Sequence, residues 1–180
     1  MKYAFPMIVP ASWDKIIHLI TGPYRSFKSR ILCLVWGIKY GCGTAFSGAT
    51  ILRCRKRGDI EIGKCTVFNS CRRSNLVGLN GPTIIDSRFG GRIKIGDNCG
   101  FSSVVMSSMT EIAIGNRVLV GGNVRIFDHD FHSVEYEYRH SGEDRKHIRS
   151  KSIVIGDDVF IGTNAIILKG LLEELEDAIK

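Results

Sequence analysis

Between Ile153 and Gly170 an aliphatic side chain returns at every sixth position, at Ile155, Ile161 and Ile167. Gly follows directly in the first two of these turns, as Ile155-Gly156-Asp157-Asp158 and Ile161-Gly162-Thr163-Asn164. A strand repeats its side-chain direction every two residues and a helix every 3.6, so neither alone gives a period of six. A chain that turns a corner every six residues and points one aliphatic inward after each corner does. The pattern predicts a parallel β-helix, one of the short-period solenoids. The phase recurs in Ile114-Gly115, Val120-Gly121 and Ile126, while Ile95-Gly96-Asp97-Asn98 and Ile62-Gly63-Lys64 open two further turns. From Ile95 to Ile114 is 19 residues, one more than three sixes, which requires a one-residue bulge or loop. From Ile62 to Ile95 is 33, which requires a larger irregularity, expected within 74–81.

One segment breaks the repeat. Asp128 to Ser152 is rich in Asp, Glu, His, Arg and Tyr and poor in aliphatics. It cannot form a coil, so it must loop out and return at Ile153, and loops on a rigid scaffold are where function concentrates. Ahead of the repeats, Ser12 opens a predicted helix toward His18 or Ile20, with Asp14 favourable in its first turn. Gly22-Pro23 ends it. Tyr24 to Ile38 reads as a second helix, with Phe27, Ile31, Leu34 and Val35 on one face and Arg25, Lys28, Ser29 and Arg30 largely elsewhere. This helix is expected to cover the open end of the solenoid, whose terminal coil exposes an apolar cross-section and unpaired strand edges. A basic amphipathic helix also suits weak association with a membrane surface. Residues 171–180 favour helix, with Leu171, Leu172, Leu175 and Ile179 on one stripe. The expected organisation is a helical cap over 1–39, a β-helix body over 40–170 with 128–152 looped out, and a C-terminal helix over 171–180.

Composition narrows the class. A chain of 180 residues makes one domain, 44% hydrophobic content suffices for a core, and 20 Gly suit a fold made of corners. The net charge of +7 favours acidic partners, and its basic residues crowd the first half. No nucleic-acid motif or aromatic platform is present, so no nucleic acid is expected as partner. The six Cys are scattered without a CxxC pair or zinc spacing, and Cys65 and Cys99 fall where small core residues are expected. The N-terminus lacks the order of a secretory signal, and the longest apolar run, 31–36, is too short to span a bilayer. These features predict a cytoplasmic protein with reduced thiols.

The chemistry sits where the looped segment opens, as Phe127-Asp128-His129-Asp130-Phe131-His132-Ser133, followed by Val134-Glu135-Tyr136-Glu137-Tyr138-Arg139. Two His and two Asp within five residues suit acid–base work or metal binding. Imidazole takes and returns a proton near neutrality, and a nearby carboxylate fixes its tautomer.

The Ile-Gly-Asp/Asn repeats, the His-bearing loop and the return on Ile155 to Gly162 resemble the hexapeptide-repeat acyltransferases. The likeness covers about 58–170 and is nearest to galactoside, maltose and bacterial polysaccharide O-acetyltransferases. The resemblance implies a left-handed parallel β-helix, an exception to the usual right-handed crossover. It implies a homotrimer with active sites between neighbouring subunits, acetyl-CoA as acyl donor, a sugar or saccharide acceptor, and no metal. His132 has the family's downstream pattern of acid, Arg and Gly in Glu137, Arg139 and Gly142, which makes it the expected general base, with His129 as second choice. Asp130, Asp128 or Glu135 would orient the imidazole. Ser102, Ser103, Asp128, Glu135 and Arg139 would serve the acceptor, Gly162 and Thr163 the pantetheine arm. Phe160 takes a place usually held by Trp, as an apolar wall for that arm. Family members normally continue with further coils after the equivalent of Leu168-Lys169-Gly170, and here a helix-favouring segment stands in that place.

Two other readings remain. A γ-class carbonic anhydrase-like metal site would use His129 and His132 with His140 or His147. A non-catalytic assembly module would keep the solenoid without a donor cleft.

Overall fold

A row of inward aliphatics every six residues needs three short faces per turn, and that is what the chain builds. The computed structural model describes residues 27–48, 50–71 and 75–170. Among these residues fifteen strands form three parallel five-stranded sheets, and every third strand returns to the same sheet. Sheet A contains β1 (Lys39–Tyr40), β4 (Ile60–Ile62), β7 (Arg92–Ile95), β10 (Glu111–Ile114) and β13 (Ile153–Ile155). Sheet B contains β2 (Ala45–Gly48), β5 (Val67–Ser70), β8 (Gly100–Ser102), β11 (Leu119–Gly122) and β14 (Phe160–Ile161). Sheet C contains β3 (Thr50–Cys54), β6 (Thr83–Ser87), β9 (Val105–Ser107), β12 (Arg125–Phe127) and β15 (Ile166–Leu168). The architecture is a mainly β parallel β-helix of five coils, as the periodicity predicts.

The inward rows form one continuous core. Ile62, Ile95, Ile114 and Ile155 stack from sheet A, and Leu52, Ile85, Met106, Ile126 and Ile167 from sheet C. On sheet B, Phe46, Phe68 and Phe101 stack face to face with centroids 5.1 and 5.0 Å apart. Each aromatic pair adds roughly 0.5–1.5 kcal/mol beyond burial.

The Ile-Gly-Asp/Asn signature has a separate reason for each residue. The Ile points inward. A Cβ on Gly96 would strike the Gly115 backbone of the next coil, so only glycine lets the coils approach this closely. The following Asp or Asn accepts the backbone N–H of its counterpart one coil earlier. Lys64 N donates to Asp97 Oδ1 at 2.7 Å, Asp97 N to Asn116 Oδ1 at 2.9 Å, and Asn116 N to Asp157 Oδ1 at 2.8 Å. These bonds occupy backbone donors at a corner where the strand ladder stops. The Asn116 N–H, with the Asn116 amide and Arg117, holds the Asp157 carboxyl below its ordinary value.

The two breaks in phase are also explained. Between Ile95 and Ile114, the turn from sheet B to sheet C is one residue short and the turn from C to A two residues long. The pairing of β11 with β8 shifts register at this point, between Val120 and Gly122. The larger gap divides between an excursion after Ser70, returning at Thr83, and a long turn from Ser87 to Arg92. The expectation of one irregularity within 74–81 therefore captured only part of it.

Helical residues 27–36, α1, end in a left-handed Gly37 with Ile38 N donating to Cys33 O at 2.8 Å and Gly37 N to Leu34 O at 3.2 Å. This is a Schellman-type stop. The helix meets the solenoid through buried Cys33 and Ser29 with Leu32 and Trp36 beside them, and burial pushes the Cys33 thiol up to about 11. The expected apolar stripe does not do the capping. Phe27, Ile31, Leu34 and Val35 face outward, exposed. A second correction concerns Cys65, which occupies an exposed left-handed corner, whereas Cys99 is buried. The helices expected near 12–20 and over 171–180 lie outside the described residues. Among the described residues no helix is long and apolar enough to cross a membrane.

Candidate functional site

The chain leaves the coil after β12 and re-enters at β13. The excursion starts as a paired stem: His129 and Ser150 form an antiparallel bridge, Asp130 N donates to Arg149 O at 3.2 Å, and Lys151 N to Asp128 O at 2.9 Å. Beyond the stem are α2 (Tyr136–Arg139) and a 3-10 turn, Asp144–His147, joined by the Tyr138 and His147 rings stacked 3.5 Å apart. A polar segment lacking coil periodicity is thus held in one place by backbone pairing and one ring stack.

Two Asp–His pairs result. The first, Asp128–His129, has both side chains fully enclosed. The Asp128 carboxylate accepts from His129 Nδ1 at 2.9 Å, Ser108 Oγ at 2.7 Å, Met109 N at 2.7 Å and Thr110 N at 2.8 Å. Burial alone would raise its pKa, but the donors, His129 foremost, outweigh burial and hold it below the ordinary value. An ionised Asp128 fixes the proton on His129 Nδ1. His129 Nε2 is buried without a hydrogen-bond partner, and its ring lies 4.4 Å from Phe131 and 5.0 Å from Phe89. Phe131 adopts a left-handed backbone with φ of 63°, an uncommon and costly conformation for a bulky residue.

The second pair is Asp144–His132. His132 Nδ1 lies 2.8 Å from Asp144 Oδ2, and the His132 side chain is 71% exposed. The Ser133 N–H, donating to Asp144 Oδ1 at 2.7 Å, and then His132 hold the Asp144 carboxyl low. Ionised Asp144 therefore accepts a hydrogen bond from Nδ1–H, which leaves Nε2 as the unprotonated nitrogen of a largely exposed side chain.

The other expected residues fall into two groups. Asp130 contributes its backbone carbonyl to His132 N at 2.7 Å, but its carboxylate pairs with Lys169. Asp144, not Asp130 or Asp128, is the carboxylate on the His132 ring. Asp128 has no oxygen left for an acceptor, because four donors surround it. Glu135 accepts from Ser133 Oγ at 2.9 Å and pairs with Arg149, while Arg139 donates to Val134 O at 2.8 Å, so both brace the loop. Ser102, Ser103, Gly162 and Thr163 sit at a different edge, where sheet B turns into sheet C. Ser102 Oγ accepts from Asn75 Nδ2 at 2.7 Å, and Ser103 Oγ is buried without a partner. Among the described residues nothing but its own chain neighbours lies within 4 Å of where a Gly162 Cβ would stand, and Phe160 projects, exposed, from sheet B. One chain thus brings the His-bearing loop together, and keeps it an edge away from the serines and the expected donor wall.

Asp144, Arg149 and Lys169 were not legible as partners, because each pairs across the loop or its stem at a separation no periodicity encodes. Among the described residues, no three His, Cys, Asp or Glu side chains converge on a point that would hold a metal ion. No family model, curated protein or solved structure matches the chain.

Proposed function

We propose that this chain is an acyltransferase that moves an acetyl group from acetyl-CoA to a hydroxyl of a sugar or surface-polysaccharide intermediate. The observation that carries the reading is the exposed His132 imidazole, its Nδ1 held by an ionised Asp144, at the interruption of a hexapeptide solenoid. His132 Nε2 accepts the proton of the acceptor hydroxyl as that oxygen attacks the thioester carbonyl. Collapse of the tetrahedral adduct expels the CoA sulfur, which takes the proton back from the imidazolium, giving an acetyl ester and free CoA. General-base help of this kind is worth typically ~10²–10⁴-fold, and Asp144 steadies the transient imidazolium.

The assembly is a homotrimer in this reading. Ser102, Ser103, Gly162 and Thr163 stand one edge away from His132, so a neighbouring copy brings the missing wall to the loop. The exposed stripe of α1 supports a peripheral place on an anionic membrane: at 3.6 residues per turn, Lys28 and Arg30 flank Phe27, Ile31, Leu34 and Val35 on either edge. Sedimentation with phosphatidylglycerol vesicles but not phosphatidylcholine vesicles, lost in Leu34→Glu, is the expected result. Equal pelleting of both proteins removes this placement.

The test of the activity is CoA release over a panel of sugars, nucleotide sugars and serine, with His132→Ala and His129→Ala beside the wild type. Loss in His132→Ala alone supports the assignment. Loss in His129→Ala alone moves the base beneath the Phe131 ring, and no release with any acceptor favours a non-catalytic assembly module.

A further inference from the structure

Beside the two Asp–His pairs lies a cavity of about 440 Å³ lined by Arg55, Arg88, Phe89, Met109, Arg145 and Ile148. Its lining residues adjoin the first pair directly and the second through the chain. Phe89 packs on the His129 ring, Met109 N holds Asp128, and Arg145 directly follows Asp144 in the 3-10 turn. No acidic side chain is among its lining residues within the described chain. Arg88 is matched by Asp86, which accepts from Nε and Nη2 at 2.7–3.0 Å. Arg55 and Arg145 have no hydrogen bond or ion pair among the described residues. Arg55 also lines an adjoining 280 Å³ hollow with Lys56, Asp59, Gly90 and Arg92, so basic side chains outnumber acidic ones along this edge.

Two guanidinium groups without counter-charges, Arg55 and Arg145, raise the local concentration of anions and offer forks that match a carboxylate or a phosphate. The floor of Phe89, Met109 and Ile148 is apolar, which suits the carbon face of a sugar ring. A site of this size with few polar anchors is typical of small-molecule binding. We propose that the cavity seats the acceptor, and that this acceptor is an anionic saccharide whose carboxylate or phosphate lies between Arg55 and Arg145. The role as acceptor rests on the acyl-transfer reading, whereas the anion selectivity does not.

Calorimetric titration of the full chain with glucuronate, glucose 6-phosphate, glucose and inorganic phosphate, without CoA, tests it. At least one of the charged sugars is expected to bind 10-fold or more tighter than glucose, and comparison of the two identifies carboxylate or phosphate as the recognised group. Arg55→Gln and Arg145→Gln are each expected to weaken that sugar about 10-fold and to leave glucose unchanged. Glucose binding as tightly as both charged sugars, or anion binding untouched in both variants, overturns the proposal. So does inorganic phosphate binding as tightly as glucose 6-phosphate, because the saccharide is then irrelevant. Anion binding without CoA release with any acceptor removes acyl transfer and keeps the cavity; CoA release indifferent to acceptor charge and to both variants does the reverse.

Discussion

Asp128–His129 and Asp144–His132 are built from the same two side chains, lie within one segment, and have nearly equal separations of 2.9 and 2.8 Å. Their surroundings divide their roles. Asp128 is enclosed and ringed by four donors that tie three parts of the corner together, and its imidazole partner packs among aromatic rings with Nε2 buried. Asp144 holds an imidazole that is largely exposed to solvent. A carboxylate–imidazole contact therefore does not by itself mark a base. Access to the second nitrogen decides, and access is a property of the fold around the pair.

The largest expected effect separates the pairs by activity. His132→Ala should lower the rate of CoA release by ~10²–10⁴-fold. Its stability should stay within about 0.5 kcal/mol of wild type, since an exposed side chain is removed. A rate loss of that size in His129→Ala, with His132→Ala unaffected, would invert the comparison. Second is stability at the buried pair. Asp128→Ala strips the acceptor from Ser108, Met109, Thr110 and His129 at once and should cost roughly 3–5 kcal/mol. In a chain of this length the loss corresponds to a fall in Tm on the order of 10 °C. Calorimetry showing an unchanged Tm would mean that the four donors have water or other partners.

Sequence periodicity revealed the scaffold and the interruption because both follow from a rule repeated every six residues. Ile155, Ile161 and Ile167 obey it one by one, and Asp97, Asn116 and Asp157 repeat one corner bond from coil to coil. The loop follows no such rule. Asp144 reaches His132 only because the Tyr138–His147 stack and the 129–150 stem fold the segment back, and no spacing announces that. The misread face of α1 has a related cause. Cys33 and Trp36 form the buried face with few large aliphatics, while the more apolar stripe looks outward. Hydrophobicity alone ranked the two faces the wrong way round.

The third expectation is smaller. Asp144→Asn retains the shape of the exposed pair but leaves one oxygen for two donors, Ser133 N and His132 Nδ1, and removes the charge that favours imidazolium. Loss of about one hydrogen bond's worth of orientation, near 1.4 kcal/mol, predicts a rate on the order of 10-fold lower, with acceptor KM little changed. A drop as large as that in His132→Ala would mean that Asp144 does more than position the ring.

The smallest effect is read from acid titration of stability. Asp128 is held ionised below its ordinary 3.8 in the folded chain, so its folded pKa lies beneath its unfolded one. That sign means its contribution is complete above about pH 5 and is lost as pH falls through the low folded pKa. Asp144, Asp157, Asp158 and Glu135 are also held low, and they titrate in the same direction in any variant that retains them. Absolute acid sensitivity therefore cannot single out the buried pair, but a difference can. Asp128→Asn keeps those carboxylates and removes one titration, so the Tm gap between wild type and Asp128→Asn should be widest near neutrality and narrow below pH 4. The matching gap for Asp144→Asn should narrow less, because a solvent-facing pair is screened and contributes little to stability. A gap for Asp128→Asn that stays constant from pH 7 to pH 3 would show that this carboxyl titrates alike in the folded and unfolded chain, and one that widens as pH falls would show that it is protonated in the fold; in either case the contrast between the two pairs would rest on access alone.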